Sequence, residues 1–427
     1  MPTKVLSARY MTRFRCLASS CEATCCGGGS VPVEQSTHRR LTLLAERDSA
    51  AQEMLAQGIV PLPHPAPPTA SEPEPPLARL RFLPSGGCSM LDDAGLCRIQ
   101  SRFGHDELFD VCATYPRYAN EIDGAIEVFG TLSCPEVTRL ALLSDDGFEQ
   151  EPTELVQAPR KLRNRFDTES PYFRPYQRVR TALVRLLGEP DFSLSEKLFV
   201  ALWIADQLRP VLHASGSAVP TTELGAVLDA LAGPGVVPKL AATYRDLSID
   251  AGLPLAVIWH TLTPAAHDRA GAQTARFDAV VREVWSTYGR APPACASTEA
   301  SEEQLRDLWT NYTEARAAVP GKVQARIDTC LTRYAANHLL TTPYMLQISL
   351  FAYAYDLVVR LAMLRFLLHA RLSGFAGTPE EVDAHIVEVT YSFVRGVDHA
   401  ELLTRVQKLL DAQSLNRLPH AVCFLAI

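Results

Sequence analysis

Leu346-Gln347-Ile348-Ser349-Leu350-Phe351-Ala352-Tyr353-Ala354-Tyr355-Asp356-Leu357-Val358-Val359-Arg360-Leu361-Ala362-Met363-Leu364-Arg365-Phe366-Leu367-Leu368-His369-Ala370 is the most apolar stretch of the 427-residue chain. It is long enough to cross a bilayer, but Asp356, Arg360 and Arg365 interrupt it. Asp356 and Arg360 stand four apart, the spacing at which opposite charges pair on one helix face. The stretch therefore reads as a buried or half-buried core helix, and no segment reads as a membrane span. Outward from it the pattern stays helical. Ser193-Leu194-Ser195-Glu196 forms a capping box, followed by Leu194, Leu198, Leu202, Ala205 and Leu208 at helical spacing. Ser301 and Gln304 form another. Thr378-Pro379-Glu380-Glu381 places an N-cap, a proline at the first helical position and a glutamate at the third. Gly374 is expected to end the helix before it. Eight or more helices are expected between residues 170 and 415, with no βαβ alternation. The only strand candidates lie near residues 79–83 and 125–132. The fold class is thus mainly α: a cysteine-rich N-terminal region with few short strands at 1–145, then an all-helical part at 146–427.

Composition narrows the function. Apolar residues make up 47% and charged residues 21%, as in a globular chain able to bury large cores. A net charge of −7 lacks the basic footprint of a nucleic-acid binder. Half of the sixteen residues 61–76 are proline, so an exposed, extended insertion is expected at about 58–78. The first residues lack the apolar core of a secretory leader, so a cytoplasmic, reducing compartment is expected.

In such a compartment clustered thiols read as metal ligands rather than disulfides. Eight of the eleven cysteines fall within the first 134 residues. The first set is Phe14-Arg15-Cys16-x4-Cys21-x3-Cys25-Cys26. The second is Cys88-x8-Cys97-x14-Cys112, then Cys134-Pro135. An Asp92-x-x-Gly95 turn lies between Cys88 and Cys97. Soft thiolates at this density suit zinc or an iron–sulfur cluster, and spacing alone leaves both open. Inert burial of small apolar side chains is the plainer alternative. Four thiolates complete one cluster, so eight permit two sites, or one site plus bystanders. Adjacent Cys25 and Cys26 are expected to point to opposite sides of an extended backbone, so that one ligates while the other packs or serves a second site. Cys295, Cys330 and Cys423 read as packing residues, as do His338 and His369. His105, Asp106 and Glu107 read as a solvated helix start.

Four pieces in order resemble the flagellin lysine-N-methylase family, FliB, and relatives with a YkgJ-type cysteine cluster. They are the opening aromatic-x-Cys-x4-Cys-x3-Cys-Cys at residues 14–26, Cys88-x-x-Leu91-x-x-x-Gly95-x-Cys97-x-Ile99, Cys112-x-x-Tyr115-Pro116-Arg117 and Leu132-Ser133-Cys134-Pro135-Glu136. Tyr334-Ala335-Ala336-Asn337-His338 and Phe393-Val394-Arg395-Gly396-Val397-Asp398-His399 resemble the family's helical part more loosely. The proline-rich insertion and Gly27-Gly28-Gly29 depart from the pattern. The resemblance implies a [4Fe–4S] cluster, with zinc as the alternative, held by Cys16, Cys21, Cys25, Cys26, Cys88, Cys97, Cys112 and Cys134. It also implies S-adenosylmethionine as methyl donor, and a protein substrate, flagellin or another lysine-bearing protein or amine, with neither nucleic acid nor membrane as partner. The residues themselves locate no S-adenosylmethionine site: no glycine-rich turn joins a strand to a helix, and Gly28 stands where a Cys-x3-Cys-x2-Cys run needs its third cysteine. A lysine amine must lose its proton before it attacks a methyl group. Tyr115, Arg117, Arg395 and His399 are the candidate catalytic residues. For Arg395 and His399 a helix-end charge cluster is the alternative; for Tyr115 and Arg117 it is support of the cysteine centre. A chelating module without catalysis, and a cluster-dependent redox enzyme, remain the other functional classes.

Overall fold

The computed structural model describes residues 5–27, 31–63, 75–147, 149–153, 160, 162–166, 172–213, 221–231, 233–262, 272–293, 299–398 and 402–427. Most of the proline-rich insertion, Gly28, Gly29, Cys295 and His399 lie outside the described residues.

The described part of the N-terminal region carries eight strands interleaved with helices. They are β1 (Val5–Ala8), β2 (Pro32–Val33), β3 (Ile59–Pro61), β4 (Ala78–Leu80), β5 (Arg117–Ile122), β6 (Ala125–Gly130), β7 (Gln150–Pro152) and β8 (Asn164–Phe166). Five make a mixed sheet in the order β7-β1-β6-β5-β8. The β5–β6 hairpin at its centre turns through Asp123 and Gly124, both at positive φ. β1 lies parallel to β6, with Leu6 opposite Glu127. A second antiparallel sheet has the order β2-β4-β3. The two strand candidates form, at Ala78–Leu80 and Ala125–Gly130. The remaining strands are a departure from expectation, and β7 and β8 push the start of the continuous helical region from 146 to Tyr176.

From there on the chain is helical, and the expected caps are present. Ser193, Ser301 and Thr378 each close a capping box. The opening stretch forms the helix Leu350–Arg371, almost every residue of which is buried. Arg360 Nε donates to Asp356 Oδ2 at 2.6 Å, as the spacing required. Arg365, 6% exposed, reaches Ser195 Oγ and the carbonyl of Ile427. Gly374, at φ 65°, follows the end of this helix. No helix among the described residues is long and apolar enough to cross a membrane.

Two apolar cores result. The large one joins these helices to Ala8, Tyr10, Met11, Phe14, Ile122, Phe129 and Val137, so packing runs without a break across residue 145. The small one gathers Val33, Leu41, Met54, Leu80, Cys88, Met90, Ile99 and Phe109 around the second sheet. Helix Gly321–Thr341 binds the sheet to the helical part through Asn337. Tyr10 Oη donates to Asn337 Oδ1 and accepts from the Gly130 amide at 3.0 Å, while Asn337 Nδ2 donates to the Gly130 carbonyl. A β-carbon on Gly130 would stand 2.4 Å from Val137 and 2.5 Å from Met11, which explains glycine there.

His338 and His369 are buried in the large core, as expected. Tyr312 Oη pairs with His369 Nδ1 at 3.0 Å, and His338 stacks on Tyr353. The Nε2 atom of each has no hydrogen-bond partner among the described residues. Loss of solvation, reinforced by Arg365, pushes His369 down to about 2; burial and Arg360 push His338 well below its ordinary value. Both rings stay neutral in the folded state but take a proton in the unfolded chain below about pH 6.5. Their stabilising effect is thus complete above that pH and is lost as pH falls. Each should add about 1.4 kcal/mol per pH unit to the acid slope. Urea unfolding at pH 7.5 and 5.5 checks this, and His369→Leu should flatten the slope by one histidine's share.

Candidate functional site

Four thiols converge on the small core. Cys26 ends a turn, and the Cys88 amide donates to its carbonyl at 2.8 Å, next to an antiparallel bridge between Gly27 and Gly87. Further bridges pair Phe82 with Cys88 and Leu91 with Cys97. Between them Asp92 Oδ1 accepts from the amides of Ala94 and Leu96, closing the expected turn with Gly95 at φ 74°. Cys97 is the N-cap of helix Arg98–Phe103, and Cys112 lies inside helix Asp110–Thr114. Cys88 is buried in the small core, and Cys26, Cys97 and Cys112 pack against it. Lost solvation raises Cys112 well above the ordinary thiol value, and Cys26, Cys97 and Cys88 add to the shift. Burial pushes Cys88 up to about 11, with Cys26 and Cys97 contributing. Cys97 is raised likewise, and Cys26 contributes there too. Cys112 thus feels the charge of the other three, Cys88 that of Cys26 and Cys97, and Cys97 that of Cys26.

Of the other four thiols, Cys134 belongs to the large core. Cys134, buried, is the N-cap of helix Pro135–Leu143. Cys21 is half-buried, and Cys16 and Cys25 are exposed. Burial pushes Cys134 up to about 11, and Cys21 adds to the shift. Cys25 and Cys26 do not point apart. They occupy a turn rather than extended backbone, and their side chains hydrogen-bond each other, which lowers Cys26 and, with burial, raises Cys25.

Arg395 fastens this second group. It lies 6% exposed in a π-helical turn, Val394–Asp398, that continues helix Pro379–Phe393. Such turns re-aim a side chain out of the regular helical register. Its Nε donates to the Ser133 carbonyl at 2.7 Å, Nη2 to Ala23 at 3.0 Å and Nη1 to Thr24 at 3.4 Å. Gly396 follows because a β-carbon there would stand 2.1 Å from the Phe277 ring. Arg139 adds a second tie between the same segments, bonding Glu22 at 2.6 Å and Glu136 at 2.5 Å. Tyr115 Oη lies 3.3 Å from Ser133 Oγ; burial, then the nearby Cys134, raise its phenol well above the usual value. Arg117 opens β5 and lies over the Phe14 ring at 5.5 Å, its pKa lowered by burial and by Arg15.

The structure therefore places Tyr115 and Arg395 against one patch, around Ser133 and Cys134. Arg117 is joined to Phe14, and His399 lies outside the described residues. Arg139 and Glu22 carry no motif of their own, and sequence reasoning missed them; Ser133 stood in the Leu132–Glu136 motif without a role. The remaining minor expectations are met in part. Cys330 is buried and its thiol reaches the Leu142 carbonyl. His105, Asp106 and Glu107 form a short 3-10 turn, with Asp106 paired to Arg160 and Glu107 to Arg40.

A family model described as the FliB lysine N-methylase C-terminal domain matches residues 180–424. The chain belongs to the FliB family. Arg395 thus lies within the FliB match, while all eight clustered thiols precede it. Among curated FliB-type relatives, the chain is 29% identical over 159 residues to proteins named lysine-N-methylase from Salmonella typhimurium and Salmonella choleraesuis. That alignment covers 36% of this chain and 36% of either relative. A protein named flagellar biosynthetic protein FliU, from Salmonella muenchen, is 28% identical over 148 residues, 33% of this chain and 79% of its own length. No solved structure matches.

Proposed function

We propose that this FliB-family chain methylates lysine ε-amines of a protein, flagellin being the first candidate, with S-adenosylmethionine as donor and a thiolate-held iron–sulfur cluster as cofactor. The observation that carries the reading is the junction at Arg395. A residue inside the family's matched domain holds the thiol-bearing segments together through three carbonyls. The relatives named lysine-N-methylase support the choice of reaction.

The donor chemistry suits the cluster: soft thiols from separate segments, several of them withdrawn from water. Among the described residues no three Cys, His, Asp or Glu side chains are grouped so as to hold a metal ion, so the thiols must draw together on loading. A bound cluster would supply one-electron chemistry at a potential set by its surroundings. The chain's residues do the rest. Arg395, engaged with three carbonyls, is a positioning residue rather than a proton carrier. Tyr115, with its phenol raised, stays protonated at neutral pH and serves as a hydrogen-bonding group, not as an ionised base. In the transfer itself the lysine amine gives its proton to solvent, its lone pair forms the N–C bond, and the S–C bond of the donor breaks with its electron pair leaving on sulfur as the neutral thioether.

The test is a methylation assay with protein purified without oxygen, S-adenosylmethionine labelled in its methyl group, and flagellin. Labelled methyl-lysine that requires both donor and cluster is the expected result. Cluster-loaded protein that transfers no label to flagellin or to other lysine-bearing proteins would overturn the reading. A colourless protein holding zinc and indifferent to S-adenosylmethionine would replace it with the chelating module.

A further inference from the structure

Resting on the reading that this chain transfers a methyl group from S-adenosylmethionine, we propose that Arg117, with Arg15 beside it, binds the carboxylate at the amino-acid end of that donor.

Other arginines near the thiol-bearing segments have acids of their own. Arg139 has Glu22 and Glu136, and Arg160 has Asp106 and Asp110. Arg117 and Arg15 have none among the described residues. Arg117 is half-buried at the start of β5, and its guanidinium lies over the Phe14 ring at 5.5 Å. The ring steadies the cation but brings no net charge to neutralise it. Arg15 follows Phe14 directly, is exposed, and turns back so that Nη1 donates to the Phe14 carbonyl at 2.7 Å. The two cations are close enough for Arg15 to act on Arg117, and no carboxylate offsets it. Withdrawing a cation from water beside a like charge, with no counter-ion, costs free energy. Such a pair is completed by an anion from outside the chain.

The reaction selects that anion. The acceptor lysine is a cation before it loses its proton and neutral afterwards, so two arginines repel it in one state and gain nothing from it in the other. The donor carries a carboxylate in both its methylated and its spent form. A planar guanidinium takes a carboxylate through two parallel N–H···O bonds, which are strong and directional. Placement agrees with the chemistry. Arg15 adjoins Cys16, Arg117 closes the motif that begins at Cys112, and Cys25 feels both Cys16 and Cys112. Both arginines therefore stand where the thiol-bearing segments approach one another. Arg117 is in this role a binding group that takes no proton.

Calorimetric titration of the full chain, purified without oxygen, tests this with two probes. S-adenosylhomocysteine keeps the carboxylate but has no methyl group to give; its decarboxylated analogue lacks both. Arg117→Gln should bind S-adenosylhomocysteine about 10–100-fold more weakly than the wild type does, and the analogue no more weakly. Arg15→Gln should show the same pattern with a smaller loss. Neither guanidinium has an acid to lose, so both variants should keep the wild-type melting temperature; should Arg117→Gln fold poorly, Arg15→Gln, at an exposed position, carries the comparison. Equal weakening towards both probes, or a wild type that binds neither, would overturn the carboxylate site. Unchanged affinity for both probes with loss of transfer to flagellin would overturn it too, and would give the pair to an acidic side chain of the protein substrate. A labelled-methyl assay on the same samples keeps the two readings apart. Wild-type transfer that persists undiminished in Arg117→Gln at low donor concentration sinks the carboxylate site alone, whereas no transfer by the wild type sinks the functional reading beneath it.

Discussion

Replacing Arg395 with alanine is expected to cost about 2–4 kcal/mol of stability and to loosen the loop between Cys21 and Cys25 from Cys134. The guanidinium makes three hydrogen bonds to carbonyls, and the Ser133 residue it serves is 1% exposed. Removing the donor leaves that buried acceptor without a substitute, which is the expensive way to lose a hydrogen bond. A lysine at this position has one ammonium for three divergent carbonyls, so Arg395→Lys should recover less than half of the loss. Denaturant unfolding reads the stability. Metal analysis of the same samples reads the function: Arg395→Ala should retain less metal than the wild type. Unchanged stability together with unchanged metal content would remove Arg395 from its positioning role.

Glu127→Ala should be the most destabilising single change in the sheet, at about 3–5 kcal/mol. Glu127 on β6 is 1% exposed and Arg180 on helix Tyr176–Gly188 is 7% exposed. Arg180 Nη2 donates to Glu127 Oε1 at 2.8 Å and Nη1 to Oε2 at 2.5 Å; Nη1 also reaches Tyr176 Oη at 3.1 Å. Gln177 Nε2 donates to the same carboxylate. Truncating the carboxylate leaves the arginine charged in a low-dielectric site with nothing opposite it. Removing both charges, as in Glu127→Leu with Arg180→Met, should recover most of the loss, because much of the cost of either single change is the stranded partner. Equal losses in the double and single variants would mean that packing, rather than charge, dominates this contact.

The helical part was legible in the sequence because its signals are local. The three capping boxes are written within four residues each, and Asp356 and Arg360 pair at a spacing any helix provides. Two features of the N-terminal region were legible for the same reason, namely the β6 run and the Asp92 turn. What escaped is held by partners far along the chain. β1 has four residues and gains its identity only from β6 and β7. Nothing near Asn337 foretells that its amide will meet Tyr10 and Gly130. Cys25 and Cys26 were misjudged because the alternation rule holds for extended backbone, and a turn brings neighbouring side chains together. The family resemblance was carried by the cysteine spacing, which says nothing of the strands between those cysteines.

The Arg395 clamp also sets a timetable for biosynthesis. Arg395 lies 371 residues after the Thr24 carbonyl that it binds. At roughly 5–20 residues per second, a ribosome needs about 20 to 75 s to travel between them. The loop with Cys21 and Cys25 is made early and waits all that time for its fastener. The small core, complete in sequence by Ala113, has no such delay. On the nascent chain, then, Cys26, Cys88, Cys97 and Cys112 can settle on the small core long before Arg395 fastens the loop between Cys21 and Cys25.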